Sequence, residues 1–403
     1  MKKTCLLFLI LLLPGILVAQ QTRHVVIVVM DGIRYSETFG DTAHSYIPRI
    51  WSTLRPKGVI YTSYRNEGLT ETNPGHSTIV TGTWQYIAND GSVRPTSPTM
   101  FEYYRFQKGT TANENFVVLG KTKLGILTYS ANSNYGSSYG ASVKYSSSQY
   151  SDPIAWENFK MVVTSFHPRL MIVNLPASDN AGHSGIWSAY TSAIRDADSL
   201  VNEIWTYIQA DPALAGNTTM IVSNDHGRHL DSVSTGFKDH GDGCEGCRHI
   251  MLLVVGPDTP AGIVDSTAAQ QVDIAPTVGK LLGFTVPTAI GKVLASAVVT
   301  SVDEQLNLPH QVELYQNYPN PFNPVTVIEY AVGGNRGQEL GTSDVRLVVC
   351  DILGRDVAVL VNERKVPGSY EVKFDASGLP SGVYFYRLTA GDFAQTRKLL
   401  LVK

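Results

Sequence analysis

An α/β domain with a mainly parallel sheet sandwiched by helices, followed by a small all-β sandwich, is the fold class that this sequence predicts. Three observations carry the prediction. From Val25 to about Val298 short apolar runs alternate with longer stretches of helical period, as strands and crossover helices do in a parallel sheet. Metal-binding side chains recur where apolar runs end: Asp31 after His24–Met30, Asp179 and His183 after Met171–Leu175, and Asp225 and His226 after Thr219–Ser223, with His240 shortly before Ile250–Val255. Beyond Thr300 the text changes to short alternating strands divided by Gly and Pro turns, the pattern of an antiparallel sandwich.

Residues 1–19 open with Lys2 and Lys3, continue through the apolar stretch Cys5–Leu13, and break at Pro14-Gly15 before Ala19. That is a secretory signal peptide and not a membrane span, because the apolar core is short and no stop-transfer pattern follows. Residues 22–298 form the α/β domain. Within it, Thr72-Asn-Pro-Gly-His76 runs into Ser77-Thr-Ile-Val80, a helix start. Tyr129–Asp152, crowded with Ser, Tyr, Asn and Gly, reads as a long loop or cap. Trp187, Tyr190, Ile194, Ala197, Val201, Ile204 and Ile208 recur at three- and four-residue steps, which predicts a helix. Another helix begins near Asp273 and runs through Leu282. Residues 299–316 read as a linker and 317–403 as the sandwich. Its strands are Val325–Val332, Val345–Cys350, Val357–Val361, Tyr370–Phe374, Val383–Thr389 and Thr396–Val402.

At 403 residues the chain is long enough for two sizeable cores. Its 43% hydrophobic and 17% charged content excludes a disordered protein. Loss of Lys2 and Lys3 with the signal takes the net charge from −3 to −5. No basic stripe remains, so nucleic acid is not expected as a stable partner. Three cysteines follow the signal, too few for a disulfide scaffold. Cys244-Glu-Gly-Cys247 matches a small disulfide, free thiols or half of a zinc site; no second pair completes the last, so the first two are favoured. Cys350 falls in the apolar run Val345–Ile352 and reads as a core residue.

Carboxylates and imidazoles at strand ends are what a sheet-edge site needs, since ligands in open α/β folds bind outside the carboxyl ends of strands. Carboxylate and imidazole donors on each ion, with open positions, suit Zn²⁺, though Mn²⁺ or Fe accept similar donors. Two ions about 3.5–4 Å apart can clamp the attacking and leaving oxygens of a phosphoryl displacement. Thr72 supplies a hydroxyl that a metal would activate, at a helix start whose backbone N–H groups face an incoming anion.

These residues resemble the alkaline phosphatase superfamily, most closely its type I phosphodiesterase/nucleotide pyrophosphatase-like branch with a Thr nucleophile, over about Val25 to Leu282. The motifs are Val28-Val-Met-Asp-Gly-Ile-Arg34, Thr72-x-Pro-x-His76 with Thr81-Gly82, Asp179-Asn-Ala-Gly-His183, Asn224-Asp-His-Gly227 and His240-Gly241. The resemblance implies two divalent ions, zinc by preference. One is held by Asp31, Asp225, His226 and bridging Thr72, the other by Asp179, His183 and His240. It implies Thr72 as nucleophile and a phospho-threonine intermediate. Asn89 matches an Asn that touches a phosphoryl oxygen, against a plain Asn-Asp-Gly turn. Lys121-Thr-Lys123 is similar to a phosphate-gripping Lys-x-Arg pair, with Lys in place of Arg and so without the bidentate fork. His249 competes with His240 as a ligand, and His240 is preferred. His76, His44 and His229 are read as structural, surface or supporting residues.

The tail resembles the type IX secretion sorting domain through Tyr318-Pro-Asn-Pro-Phe-Asn-Pro324, Asp351-Ile-Leu-Gly-Arg355, Gly382-Val-Tyr-Phe-Tyr386 and Lys398–Lys403. That implies the type IX machinery as a partner and a secreted or surface-attached product without a transmembrane segment. The expected activity is metal-dependent hydrolysis of a small phosphate ester, monoester or diester. A sulfatase of the same superfamily is the nearest alternative, set back because a sulfatase needs Cys or Ser where Thr72 stands. A non-catalytic surface protein is set further back, because every ligand and nucleophile position is filled. Tyr103 and Tyr104 offer base-stacking surfaces or simple packing.

Overall fold

The computed structural model describes residues 20–145, 148–298, 312–333, 343–365, 368–391 and 393–403. The expected signal peptide and residues 299–311 of the expected linker lie outside them. The chain divides into two compact units, Met1–Thr300 and Ser301–Lys403.

The first unit contains the strands β1 (His24–Met30), β2 (Gly58–Tyr61), β3 (Tyr64–Arg65), β4 (Asn115–Leu119), β5 (Ser142–Tyr145) and β6 (Leu170–Leu175). It continues with β7 (Thr218–Ser223), β8 (Leu252–Val255), β9 (Ile263–Asp265) and β10 (Ala269–Gln270). Its helices are α1 (Thr72–Thr81), α2 (Met100–Lys108), α3 (Asp152–Phe166), α4 (Ala177–His183), α5 (Trp187–Ala210), α6 (Glu245–Arg248) and α7 (Ile274–Leu282). The main sheet has the order β5-β4-β6-β1-β7-β8-β2-β9, and β3 pairs separately with β10.

Every residue of β1 is buried, because both faces of the sheet are covered. Val25, Ile27 and Val29 face a core shared with Ile79, Phe101 and Val278 of α1, α2 and α7. Val26, Val28 and Met30 face Phe159 of α3 and Ile194 and Val201 of α5. The alternation follows from the two-residue period of a strand. On α5 the predicted stripe is buried at Tyr190, Ile194, Ala197, Val201, Ile204 and Ile208, as a helix packed on a sheet requires.

β1 runs parallel to β6 and β7, and β4 runs parallel to β5 and β6. β8 runs against both of its neighbours, β7 and β2. That reversal explains why His240 precedes its strand while the other candidate ligands follow theirs: β8 begins at the edge where β7 ends. The segment expected as a loop, Tyr129–Asp152, contains a short 3-10 turn at Gly136–Tyr139 and the edge strand β5. Ser142–Tyr145 is half exposed and lacks an apolar face, so its sequence carries no strand period; backbone pairing with β4 holds it.

The second unit comprises β11 (Glu313–Leu314), β12 (Val325–Val332), β13 (Ser343–Cys350), β14 (Asp356–Lys365), β15 (Gly368–Asp375), β16 (Gly382–Ala390) and β17 (Phe393–Leu401). Antiparallel sheets β11-β12-β15 and β14-β13-β16-β17 enclose Phe322, Ile328, Tyr330, Leu347, Tyr386 and Leu399. β11 falls within the expected linker; two residues paired with β12 leave no periodic trace. Cys350 ends β13 half buried and not in the core.

Asp198 on α5 is buried and accepts the backbone N–H groups of Arg49 (2.9 Å) and Ile50 (2.8 Å), tying the segment after β1 to the helix layer. Asp198→Ala strands both donors, at about 1–3 kcal/mol for each buried unsatisfied group. The expected loss is about 2 kcal/mol or more, measured as a lower urea midpoint for the first unit with an unchanged slope.

Candidate active site

Asp31 follows β1 directly, and its N–H is held by the Leu175 carbonyl of β6 (3.0 Å). Its Oδ2 accepts from Asn174 Nδ2 (2.9 Å) and its Oδ1 lies 2.9 Å from Lys121 Nζ. Asp225 follows β7 through Asn224, on the other side of β1. Its Oδ1 accepts the N–H groups of Gly32 (3.1 Å) and His226 (2.9 Å). Its carbonyl is held by Asn66 Nδ2 and Gln271 Nε2, each at 2.8 Å. β1 lies between β6 and β7, so residues distant in sequence meet at one edge of the sheet.

Thr72 is the first residue of α1, a helix buried at all ten positions. Lys121, directly after β4 and Gly120, reaches over it: Nζ is 3.3 Å from Thr72 Oγ1, 2.9 Å from Asp31 Oδ1 and 2.6 Å from Asp179 Oδ2. Lys123 donates to Asn89 at the side-chain Oδ1 (2.9 Å) and the carbonyl (3.0 Å), and Asn89 Oδ1 accepts the Asn73 N–H (2.9 Å) in the first turn of α1. The two lysines and Asn89 therefore gather at the start of the same helix.

Asp179 and His183 lie four residues apart on α4, the spacing that stacks side chains on one helix face. His183 Nε2 is 3.4 Å from Asp179 Oδ1, and His240 Nε2 is 3.5 Å from the same oxygen and 3.3 Å from His183 Nε2. His240 stacks on His226 (3.9 Å between centroids), and its Nδ1 donates to the Thr70 carbonyl (2.9 Å). Gly32 has φ +68, and a Cβ there would lie 2.6 Å from Asp179 Oδ1. Glycine thus meets both the left-handed backbone and the close approach of the carboxylate.

Arg228 was not singled out by sequence, although it stands one residue beyond the Asn224-Asp-His-Gly227 motif. It is fully buried, pairs with the Asp179 carboxylate, and donates to the carbonyls of Asp179 (2.6 Å), Gly32 (3.1 Å), Phe237 (3.1 Å) and Lys238 (2.7 Å). Asn174 was also missed. Its Nδ2 joins Asp31 to His76 Nε2 (3.1 Å). His76 Nδ1 in turn lies 2.9 Å from the Thr72 carbonyl and 3.1 Å from Asp225 Oδ2. With Nε2 accepting from Asn174, Nδ1 carries the proton. His76 braces the turn beneath the threonine.

Three carboxylates enclosed together need compensation. Burial and then the Asp225 charge push the Asp31 carboxyl above its ordinary value. Burial works the same way on Asp179, but Lys121, His183 and Arg228 outweigh it and hold that carboxyl well below its ordinary value. Asp225 is likewise held low despite burial, by His226, His76 and Lys121. Burial, with the His226 charge next, pushes His240 down to about 2.

The donor set fits divalent cations. His226 Nε2 is fully buried without a hydrogen-bond partner among the described residues, 3.4 Å from Asp225 Oδ2 and 3.8 Å from Asp31 Oδ1. An unsatisfied buried nitrogen between two carboxylates is costly, and a cation shared with them removes the cost. Donor atoms of Asp179, His183 and His240 also lie within 4.8 Å of one another. Asp31 groups equally with Asp179 and His226, or with His76 and Asp225, so the two expected ligand sets are contiguous.

His249 points elsewhere: Nε2 lies 2.9 Å from the Thr62 carbonyl and the ring stacks on Tyr35. His44 stacks on Trp51. His229, expected at the surface or in support, is buried. Tyr103 packs on Tyr135 and donates to Thr288 Oγ1 (3.2 Å), while Tyr104 packs on Phe284; both belong to the core.

Comparison with known proteins places these residues in context. The solved 2-O GAG sulfatase BT1596 has a TM-score of 0.55 at 15% identity, over 78% of this chain and 81% of that one. The wild-type alkaline phosphatase PafA has a TM-score of 0.52 at 12% identity, over 69% of this chain and 99% of that one. Such likeness shows a shared fold. A segment of 101 residues is 32% identical to arylsulfatase K of Xenopus laevis; it spans 25% of this chain and only 18% of that protein. Residues 316–403 match the secretion system C-terminal sorting domain, which directs the protein by type IX secretion to the cell surface or the medium. No helix among the described residues is long and apolar enough to cross a membrane. Residues 25–230, just over half of the 403, match the type I phosphodiesterase / nucleotide pyrophosphatase model, and the chain belongs to that family of alkaline phosphatase superfamily hydrolases.

Proposed function

We propose that this protein hydrolyses small phosphate esters outside the cell, with Thr72 as nucleophile. The observation that carries the reading is the meeting of Thr72 Oγ1, Lys121 Nζ, Asp31 and Asp179 at the buried start of α1. Two divalent ions, zinc by preference, would be held by Asp31, Asp225, His226 and Thr72 and by Asp179, His183 and His240. When bound they supply Lewis acidity that activates a hydroxyl and neutralises phosphoryl charge.

Thr72 Oγ1 gives up its proton to solvent and bonds to phosphorus while the ester P–O bond breaks, and the departing oxygen takes up a proton from solvent. Water then cleaves the phospho-threonine, returning the hydroxyl and releasing phosphate. Lys121 Nζ lies where it would hold a non-bridging oxygen of a group bonded to Thr72. Lys123 and Asn89, at the first turn of α1, would take a second oxygen. Preorganised donors aimed at the transferring group supply most of the acceleration in such reactions. Arg228 touches no reacting atom in this scheme; it positions Asp179.

A sulfatase reading draws on the local likeness to arylsulfatase K. Against it stands Thr72, which carries no group that converts to formylglycine. The two are separated by assaying p-nitrophenyl phosphate, its bis-ester and the sulfate on the purified protein. Phosphate-ester turnover is expected, abolished by chelation and restored by Zn²⁺; preferential sulfate cleavage would assign the protein to the other class. Thr72→Ala should lower kcat/KM on the order of 10³-fold or more, and unchanged metal-dependent turnover in that variant would remove the covalent route. Lys121→Ala should cost roughly 100- to 1,000-fold in kcat, the range for losing one donor to a developing charge, with Lys123→Ala milder. Gly32→Ala should displace Asp179 and reduce both activity and bound metal, read by metal analysis beside the kinetics.

A further inference from the structure

A second group of metal-binding side chains lies outside the candidate active site. Donor atoms of His229, Asp242, Cys244 and Cys247 all lie within 4.8 Å of one another. The two Sγ atoms are 3.5 Å apart, Cys247 Sγ is 3.5 Å from Asp242 Oδ1, and His229 Nε2 is 3.2 Å from the same oxygen. A tetrahedral Zn²⁺ with its usual bond lengths sets edges of about 3.8 Å between sulfurs, about 3.6 Å from sulfur to oxygen and about 3.4 Å from nitrogen to oxygen. The three observed separations match that figure within a few tenths of an ångström.

The imidazole supplies a second, independent observation. His229 is only 5% exposed, and its Nε2, aimed into the group, has no hydrogen-bond partner among the described residues. Its Nδ1 lies 3.4 Å from Thr235 Oγ1, the kind of support that orients a ligating histidine. Cys247 is fully buried, while Asp242 is exposed and leaves an entry path.

We propose that these four residues bind a structural zinc ion that fixes the chain between β7 and β8. His229 N–H donates to the Asp239 carbonyl (3.0 Å), one residue before His240. The carbonyls of Gly246 and Cys247 accept the N–H groups of Arg228 (3.0 Å) and Gly227 (2.8 Å), directly after His226. An ion there ties together both segments that deliver imidazoles to the candidate active site. Cys244-Glu-Gly-Cys247 then needs no second cysteine pair, because a histidine and an aspartate from earlier in the same excursion complete it.

The test uses the purified full-length protein stripped of metal and titrated with Co²⁺. The candidate active site offers only nitrogen and oxygen donors, so a thiolate-to-cobalt charge-transfer band reports the second site alone. The band is expected in the wild type, lost in Cys247→Ser, strongly reduced in His229→Ala, and kept in Thr72→Ala and His183→Ala. Zinc analysis of protein isolated without added metal should show one equivalent fewer in Cys247→Ser than in the wild type. Absence of the band in the reduced wild type would overturn the proposal whatever the variants do. So would a Cys244–Cys247 disulfide in protein isolated without reductant.

Discussion

The structure turns on three carboxylates, those of Asp31, Asp179 and Asp225, enclosed at one edge of the sheet. Ionised carboxylates removed from water are tolerated only with close opposite charge and hydrogen bonds. Lys121 and Arg228 provide that charge, and His76 and His226 stand against the carboxylates as hydrogen-bonding neighbours. The order β6-β1-β7 brings the compensating groups together, since it sets Asn174 on one flank of Asp31 and Asp225 on the other. Much of the remaining local architecture serves this cluster. Asn66 and Gln271 hold the Asp225 backbone, Gly32 leaves room for Asp179, and Arg228 laces four carbonyls around it.

The same balance bears on what the site would accept. A phosphoryl group brings negative charge to a place where lysines are already engaged with Asp31, Asp179 and Asn89. Lys121 reaches Thr72 while paired to two carboxylates, so under the proposed function it would have to share those partners with an anion. Lys in place of Arg at position 123 gives a point charge where a planar fork would hold two oxygens. Under the proposed function, the grip on a substrate would rest more on charge than on fixed geometry.

Sequence revealed those features that are local. A strand ending in Asp or His can be read from a few neighbouring residues, and the structure brings Asp31, Thr72, Asp179, His183, Asp225, His226 and His240 together. Lys121 and Lys123 were readable as the end of an apolar run, and Asn89 as a turn residue after a helix. Arg228 and Asn174 were not, because their partners are backbone carbonyls and side chains supplied by distant loops and helices. β5 and β11 escaped because short edge strands are held by backbone pairing and need no apolar alternation. Of the two readings of His229, surface or supporting, burial removes the first, which no periodic pattern could have decided because only the folded excursion after β7 encloses it.

The reversed direction of β8 has an evolutionary corollary. The polypeptide leaves β7 and re-enters the sheet at the same rim, so Asn224–Met251 forms an excursion rooted at neighbouring points. Loop closure grows costlier only slowly with length, and neither root moves if the middle expands. New residues inserted between Leu230 and Phe237 would lengthen the excursion without altering strand register. The excursion can therefore diversify by lengthening one ribbon of chain while the strands that carry Asp31 and Asp225 stay in register.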